Sequence, residues 1–183
     1  AIDRSLTRPV SVGGDHSVTG GIIQAIAGEH ASLTGGRKAA FLHFDAHTDA
    51  YEKVPHFLGA IKSAAHWASF LVRQGQIDAH SSVQIGMRGN PRTLDWLAPS
   101  TELGYEVITM ERYRSLGMSE TIKIILDRIG DVPLYITFDL DCMDPTVAPG
   151  VANIEAGVQG FQIDEVMELL RCARGRNIIG GDV

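Results

Sequence analysis

The chain has only two cysteines, Cys142 and Cys172, among its 183 residues. That is too few for a disulfide framework, so a reducing cytoplasm is the expected setting. No apolar run approaches the roughly 18 residues that a membrane-spanning helix needs. The opening residues, AIDRSLTRPV, lack the basic end and apolar core of a secretory signal. A basic excess is missing too. The formal charge of −6 offers no positive face for nucleic-acid phosphates. There is no low-complexity linker, repeat or long charge run, so residues 1–183 read as a single domain. The rest is an ordinary soluble balance, with 44% hydrophobic and 21% charged residues. Its 22 acids, however, are unevenly spread, and several fall into tight clusters.

Short apolar segments alternate with segments of helical period. Arg8 to Val12, Lys38 to Phe44, Ser82 to Met87, Glu106 to Met110, Pro133 to Phe138 and Asn177 to Ile179 read as strands. Thr19 to Glu29, Ser63 to Gln74, Pro91 to Leu97, Ser119 to Ile129 and Asp164 to Ala173 read as helices, with Ser119 as an N-cap. This rhythm predicts βαβ units, hence an α/β three-layer αβα sandwich around a mainly parallel sheet. Ligands of such sheets bind at the carboxyl ends of the strands.

Three predicted strands run into unusual polar sequences: Gly13-Gly14-Asp15-His16, Asp45-Ala46-His47-Thr48-Asp49, and Asp139-Leu140-Asp141-Cys142-Met143-Asp144-Pro145. All three are expected on one rim. Alternation along an extended backbone would point Asp45, His47 and Asp49 to one side, and Asp139 and Asp141 likewise. Four carboxylates brought that close repel one another, so either some take up protons or cations neutralise them. With two imidazoles alongside, divalent metal is the simpler answer, and the oxygen-rich donor set suits Mn²⁺ and similar ions. Four acids balance two such ions, which points to a binuclear centre with a bridging water.

These three motifs resemble the signatures of the ureohydrolase (arginase and agmatinase) family, GGDH, DAHxD and F-D-x-D-x-x-D-P, the last beginning here at Phe138. Val83 to Gly89 resembles the agmatinase-like branch. The resemblance covers essentially the whole chain. It implies an arginase-like fold and hydrolysis of a guanidino compound to urea and an amine, on two divalent ions, usually Mn²⁺ with Ni²⁺ as the alternative. By position, His16, Asp45, Asp49 and Asp139 would hold one ion. His47, Asp45, Asp139 and Asp141 would hold the other, with Asp45 and Asp139 bridging. His66 matches the histidine that relays a proton to the leaving amine, although Trp67 stands where the family has glycine; His56 is its rival. His30, His43 and His80 read as structural or solvent-facing, with His43 turned away from the metals. Asp15 and Asp144 are expected to bond loop amides or to orient ligands, and Asp182 to lie behind the ligands. Cys142 is not expected to bind metal.

After the third motif the family reads A-P-G-T-G-T-P-E, whereas this chain has Ala148-Pro149-Gly150-Val151-Ala152-Asn153-Ile154-Glu155. Asn153 and Glu155 are the candidate substrate contacts. The altered loop leaves an agmatine-like compound, a guanidino acid, guanidine or a biguanide as expected substrates. The resemblance also implies a fragment of a longer chain lacking both termini, and a homo-oligomer, trimeric or hexameric. A hetero-oligomer with a paralogue, in which this chain is non-catalytic, and a single-zinc deacetylase-like hydrolase are the alternatives.

Overall fold

The computed structural model describes residues 7–52, 63–89, 93–155, 157 and 159–183. Among them, six strands form one sheet: β1 (Val10–Ser11), β2 (Ala40–Phe44), β3 (Val83–Met87), β4 (Glu106–Thr109), β5 (Leu134–Phe138) and β6 (Ile178–Asp182). Their spatial order is β1-β6-β5-β2-β3-β4, and every pairing is parallel. The helices are α1 (Val18–Ile26), α2 (Trp67–Arg73), α3 (Ala98–Leu103), α4 (Met110–Ile129) and α5 (Ile163–Cys172).

Strand alternation sorts the core into two layers. Ala40, Leu42 and Phe44 of β2 join Ile125 and Ile129 of α4 and Val166 and Leu169 of α5. Ala39 and Phe41 point the other way, to Ile23 of α1 and Trp67 and Leu71 of α2. The sheet is therefore covered on both faces, and β2 is buried throughout because it lies between two helical layers. This is the three-layer αβα sandwich that the alternating pattern predicts.

Two helical expectations shift. The helix expected from Ser119 begins at Met110, where Thr109 accepts the Arg112 amide; Gly117, at φ 76°, breaks the helical backbone just before Ser119. The helix expected over Pro91 to Leu97 falls partly outside the described residues. Its described part is a turn that leads into α3, with a proline in the first turn of that helix.

Candidate metal centre

The polar sequences gather at the carboxyl ends of β1, β2 and β5, but turns deliver them, not extended chain. Asp45 Oδ1 accepts the His47 amide at 2.6 Å, and Asp139 Oδ1 accepts the Asp141 amide at 2.9 Å. Each acid thus folds the chain back two residues on, with Oδ1 accepting the local amide and Oδ2 turned to the His16 half of the cluster. Asp49 arrives through a left-handed backbone, φ 48°, which Asp tolerates better than most residues. Gly86 on β3 has φ 106°, and a Cβ there would lie 2.8 Å from the Asp45 carbonyl oxygen, so only glycine lets β3 run this close.

The cluster has two halves. His16 Nδ1 lies 2.9 Å from Asp45 Oδ2, 3.2 Å from Asp49 Oδ2 and 3.4 Å from Asp139 Oδ2. His47 Nδ1 lies 3.3 Å from Asp45 Oδ1 and 3.1 Å from Asp141 Oδ2. Asp45 presents one oxygen to each imidazole. Asp139 faces the His16 half with Oδ2, while its Oδ1 serves the Asp141 amide.

The donor set fits divalent ions. His16 Nδ1 is buried among three carboxylate oxygens yet makes no aligned hydrogen bond. Donors that bind one ion at about 2.1 Å sit roughly 3.0–3.4 Å from each other and aim at the ion instead of at one another. The spacings around His16 have that character. His16, His43, Asp45 and Asp49 form one group able to hold a cation, and Asp45, His47 and Asp141 another.

The charges also call for a cation. Burial works against protonating His16, but Asp139, Asp45 and Asp49 outweigh it and hold its pKa far above the usual range. Burial likewise opposes His47, which Asp141 and Asp45 push up to about 12. Burial would raise Asp45, but His16, His43 and His47 pull it well below the carboxylate range. Asp49 is raised by burial and by the charge of Asp45. Asp141 is pushed up to about 6, by burial first and by Asp45 and Asp139 against the pull of His47. The carboxylates demand positive charge, which protons on the imidazoles or divalent ions at the same atoms can supply.

A buried polar rung of the sheet lies under this cluster. Asp182, Thr137, His43 and Gln84 are neighbours across β6, β5, β2 and β3. Thr137 donates its hydroxyl to Asp182 Oδ1 at 2.6 Å, so its oxygen accepts from His16 Nε2 at 2.8 Å. Thr19 and Tyr135 donate to Asp182 Oδ2 at 2.9 and 2.8 Å. The chain of donors fixes the His16 tautomer, with hydrogen on Nε2 and Nδ1 turned to the cluster. Gln84 Nε2 donates to the Thr48 carbonyl at 2.6 Å and to His43 Nδ1 at 3.0 Å. His43 therefore carries its hydrogen on Nε2 and donates it to Asp45 Oδ2 at 2.8 Å.

The expectation that His43 turns away is overturned. It precedes Asp45 by two residues, so strand alternation puts both on the same side. Asp182 is linked to His16 through the Thr137 hydroxyl. Asp15 Oδ1 accepts the Ser17 amide at 3.0 Å, and Asp144 accepts the Thr146 and Gly160 amides at 3.0 and 3.2 Å, so both acids hold loops. Cys142 is buried in the α4/α5 core layer, and burial first, then the charges of Asp45, Asp141 and Asp139, push its thiol pKa up.

A cavity of about 720 Å³ opens over the carboxylates, walled by Val18, Leu140, Val147, Val151 and Asn153. Glu155 sits behind His47, with Oε1 2.8 Å from Nε2, and so orients the imidazole. Arg88 clamps the same loops from beneath, donating to the carbonyls of Asp141, Met143 and Glu155 at 2.7–2.8 Å. His66 caps the start of α2, its Nδ1 3.0 Å from Ser63 Oγ, and lines a separate cavity with Tyr51 and Phe70. His56 lies outside the described residues.

A sequence model of the Arginase family matches residues 2–183. The chain belongs to the arginase family. It is 34% identical over 178 residues to an agmatinase from Neisseria meningitidis, covering 96% of this chain and 50% of that protein. It is 35% identical to a guanidinopropionase from Pseudomonas aeruginosa, covering 97% of this chain and 52% of that protein. Among solved structures it resembles the proclavaminate amidino hydrolase of Streptomyces clavuligerus, with a TM-score of 0.79 and 32% identity over 95% of this chain and 53% of that one. The chain spans about half the length of the curated relatives it matches. Neither the non-catalytic subunit nor the single-zinc hydrolase is favoured by these likenesses. Among the described residues, no helix is long and apolar enough to cross a membrane.

Proposed function

We propose that this arginase-family chain carries a binuclear metal centre and hydrolyses the C–N bond of a guanidino compound, releasing urea and an amine. The observation that carries the reading is Asp45, whose two oxygens face two separately oriented imidazoles. His16, Asp45, Asp49 and Asp139 would hold one ion, and His47, Asp45, Asp139 and Asp141 the other. Mn²⁺ is the proposed metal, since the donors are mostly carboxylate oxygens, with Ni²⁺ as the second choice. Two such ions, when bound, supply Lewis acidity and bring the pKa of water near neutrality.

The chain's own residues do the rest. Thr137 and Asp182 fix His16, Glu155 fixes His47, and His43 fixes Asp45, so the donors need little reorganisation on loading. The cavity seats the guanidino group over the carboxylates, and Asn153 on its wall is the proposed substrate contact. His66 is the proposed proton donor to the leaving amine. Ala64, two residues earlier, lines the main cavity, and this role would require His66 to turn away from Ser63 toward it. The agmatinase and guanidinopropionase likenesses support guanidino substrates, and Val147 to Asn153 would select among agmatine-like amines, guanidino acids, guanidine and biguanides. A cytoplasmic homo-oligomer, trimeric or hexameric, is the proposed assembly.

The test is urea release by the full-length protein over a panel of these compounds, loaded with Mn²⁺ or Ni²⁺. Urea from at least one member is expected. No urea from any member at full metal occupancy would overturn the reading.

A further inference from the structure

Trp67 closes the His16 half of the cluster from behind. It is 3% exposed, and its ring lies 4.8 Å from the His16 ring and 5.0 Å from that of His43. Its Nε1 donates to Asp49 Oδ2 at 2.7 Å. That oxygen is also the one facing His16 Nδ1, so the bond falls on the atom the cluster uses. The next residue, Ala68, donates its amide to the Asp49 carbonyl at 3.1 Å. The start of α2 thus grips Asp49 at both its carbonyl and its carboxylate, in a left-handed conformation that needs support.

The other half is held differently. Asp141 Oδ1 accepts the Ala46 amide at 3.1 Å, and His47 is braced by Glu155. Nothing from α2 takes part in those bonds.

We infer that Trp67 is a positioning residue for one ion of the pair, the one held by His16 and Asp49, and that its indole N–H supports that ion and not the one held by His47 and Asp141. The inference rests on the two-ion reading above. Two effects of the indole oppose each other. Its hydrogen draws charge from Oδ2, which weakens the donor; its bond also fixes where that donor points. Positioning prevails because, among the described residues, the indole is the one aligned hydrogen-bond donor on the Asp49 carboxylate.

The test substitutes Trp67→Phe, which keeps a ring and removes the N–H, in the full-length protein. Ions per chain are counted by mass spectrometry after dialysis against graded free Mn²⁺, with circular dichroism confirming the fold. The wild type is expected to hold two ions. The variant is expected to bind one of them about 10–100-fold more weakly and the other unchanged. Equal retention of both ions, or tighter binding, would overturn the inference; a wild type holding fewer than two ions would overturn the two-ion reading instead. A second arm leaves Trp67 in place. Trp96→Phe leaves Trp67 as the sole tryptophan of these 183 residues; with any tryptophan elsewhere in the full-length protein also replaced by Phe, paramagnetic Mn²⁺ is expected to quench the Trp67 fluorescence. Adding Asp49→Asn should abolish that quenching at Mn²⁺ levels that saturate the parent, whereas adding Asp141→Asn should preserve it. Equal quenching in both would contradict the assignment.

Discussion

Thr137→Val tests the polar rung by removing one hydroxyl while keeping the side chain's shape. In the native site that oxygen accepts from His16 Nε2 at 2.8 Å and donates to Asp182 Oδ1 at 2.6 Å, in a position sealed from water. The valine leaves the His16 N–H buried without an acceptor and takes one of three donors from Asp182. An unsatisfied buried donor costs about 1–3 kcal/mol, and a bond to a charged group contributes about 1.5–3 kcal/mol. Asp182 keeps Thr19 and Tyr135, so part of the second loss is recovered, and we expect about 2–4 kcal/mol in total. For a chain of this length that lowers Tm by roughly 5–12 °C. His16 also loses the partner that selects its tautomer, so metal affinity should fall by about tenfold or more. Thr137→Ser keeps the hydroxyl and serves as the control. Scanning calorimetry and Mn²⁺ titration of both variants measure the two effects. A valine variant that matches the serine variant in both Tm and Mn²⁺ affinity would refute the tautomer argument.

Asp139→Asn should cost the protein at least one ion per chain in metal analysis. Asp144→Asn should retain both and lose only about 1–3 kcal/mol of stability, since Asp144 bonds loop amides. His66→Asn should lower kcat by about 10²–10⁴-fold with metal content unchanged, the loss expected for a missing proton donor. Metal binding should release protons: both imidazoles are held protonated far above their ordinary range, so each ion displaces a proton from Nδ1. Affinity therefore strengthens as pH rises and weakens as it falls, about tenfold per unit for each proton displaced. Calorimetry in buffers of different ionisation heat should count about two protons per filled centre.

The apolar run of β2 and the alternation of short apolar segments with segments of helical period made the layered fold legible, because both follow burial. The three polar clusters were legible because strand ends in a parallel sheet converge. Less legible was how the ligands arrive. Asp45 and Asp139 each cap the amide two residues ahead, and Asp49 turns left-handed, so the agreement with simple alternation arises from turn chemistry. The rung of His43, Gln84, Thr137 and Asp182 did leave a signal, a polar residue set into each apolar strand. In His43-Phe44-Asp45 and Thr137-Phe138-Asp139 it stands two positions before a candidate ligand. The pairing of Trp67 with Asp49 left none, since it depends on how α2 packs over a turn. Glu155 was expected to face substrate, but its bond to His47 depends on where the loop folds back, which spacing alone does not reveal.

The central claim is that Asp45 divides two ions between two imidazoles. Crystals of the Mn²⁺-loaded full-length protein, measured at the manganese absorption edge, test it directly. The account predicts two anomalous peaks flanking the Asp45 carboxylate, one beside His16 and Asp49 and the other beside His47 and Asp141. A single peak, or density bound through His43, would contradict it.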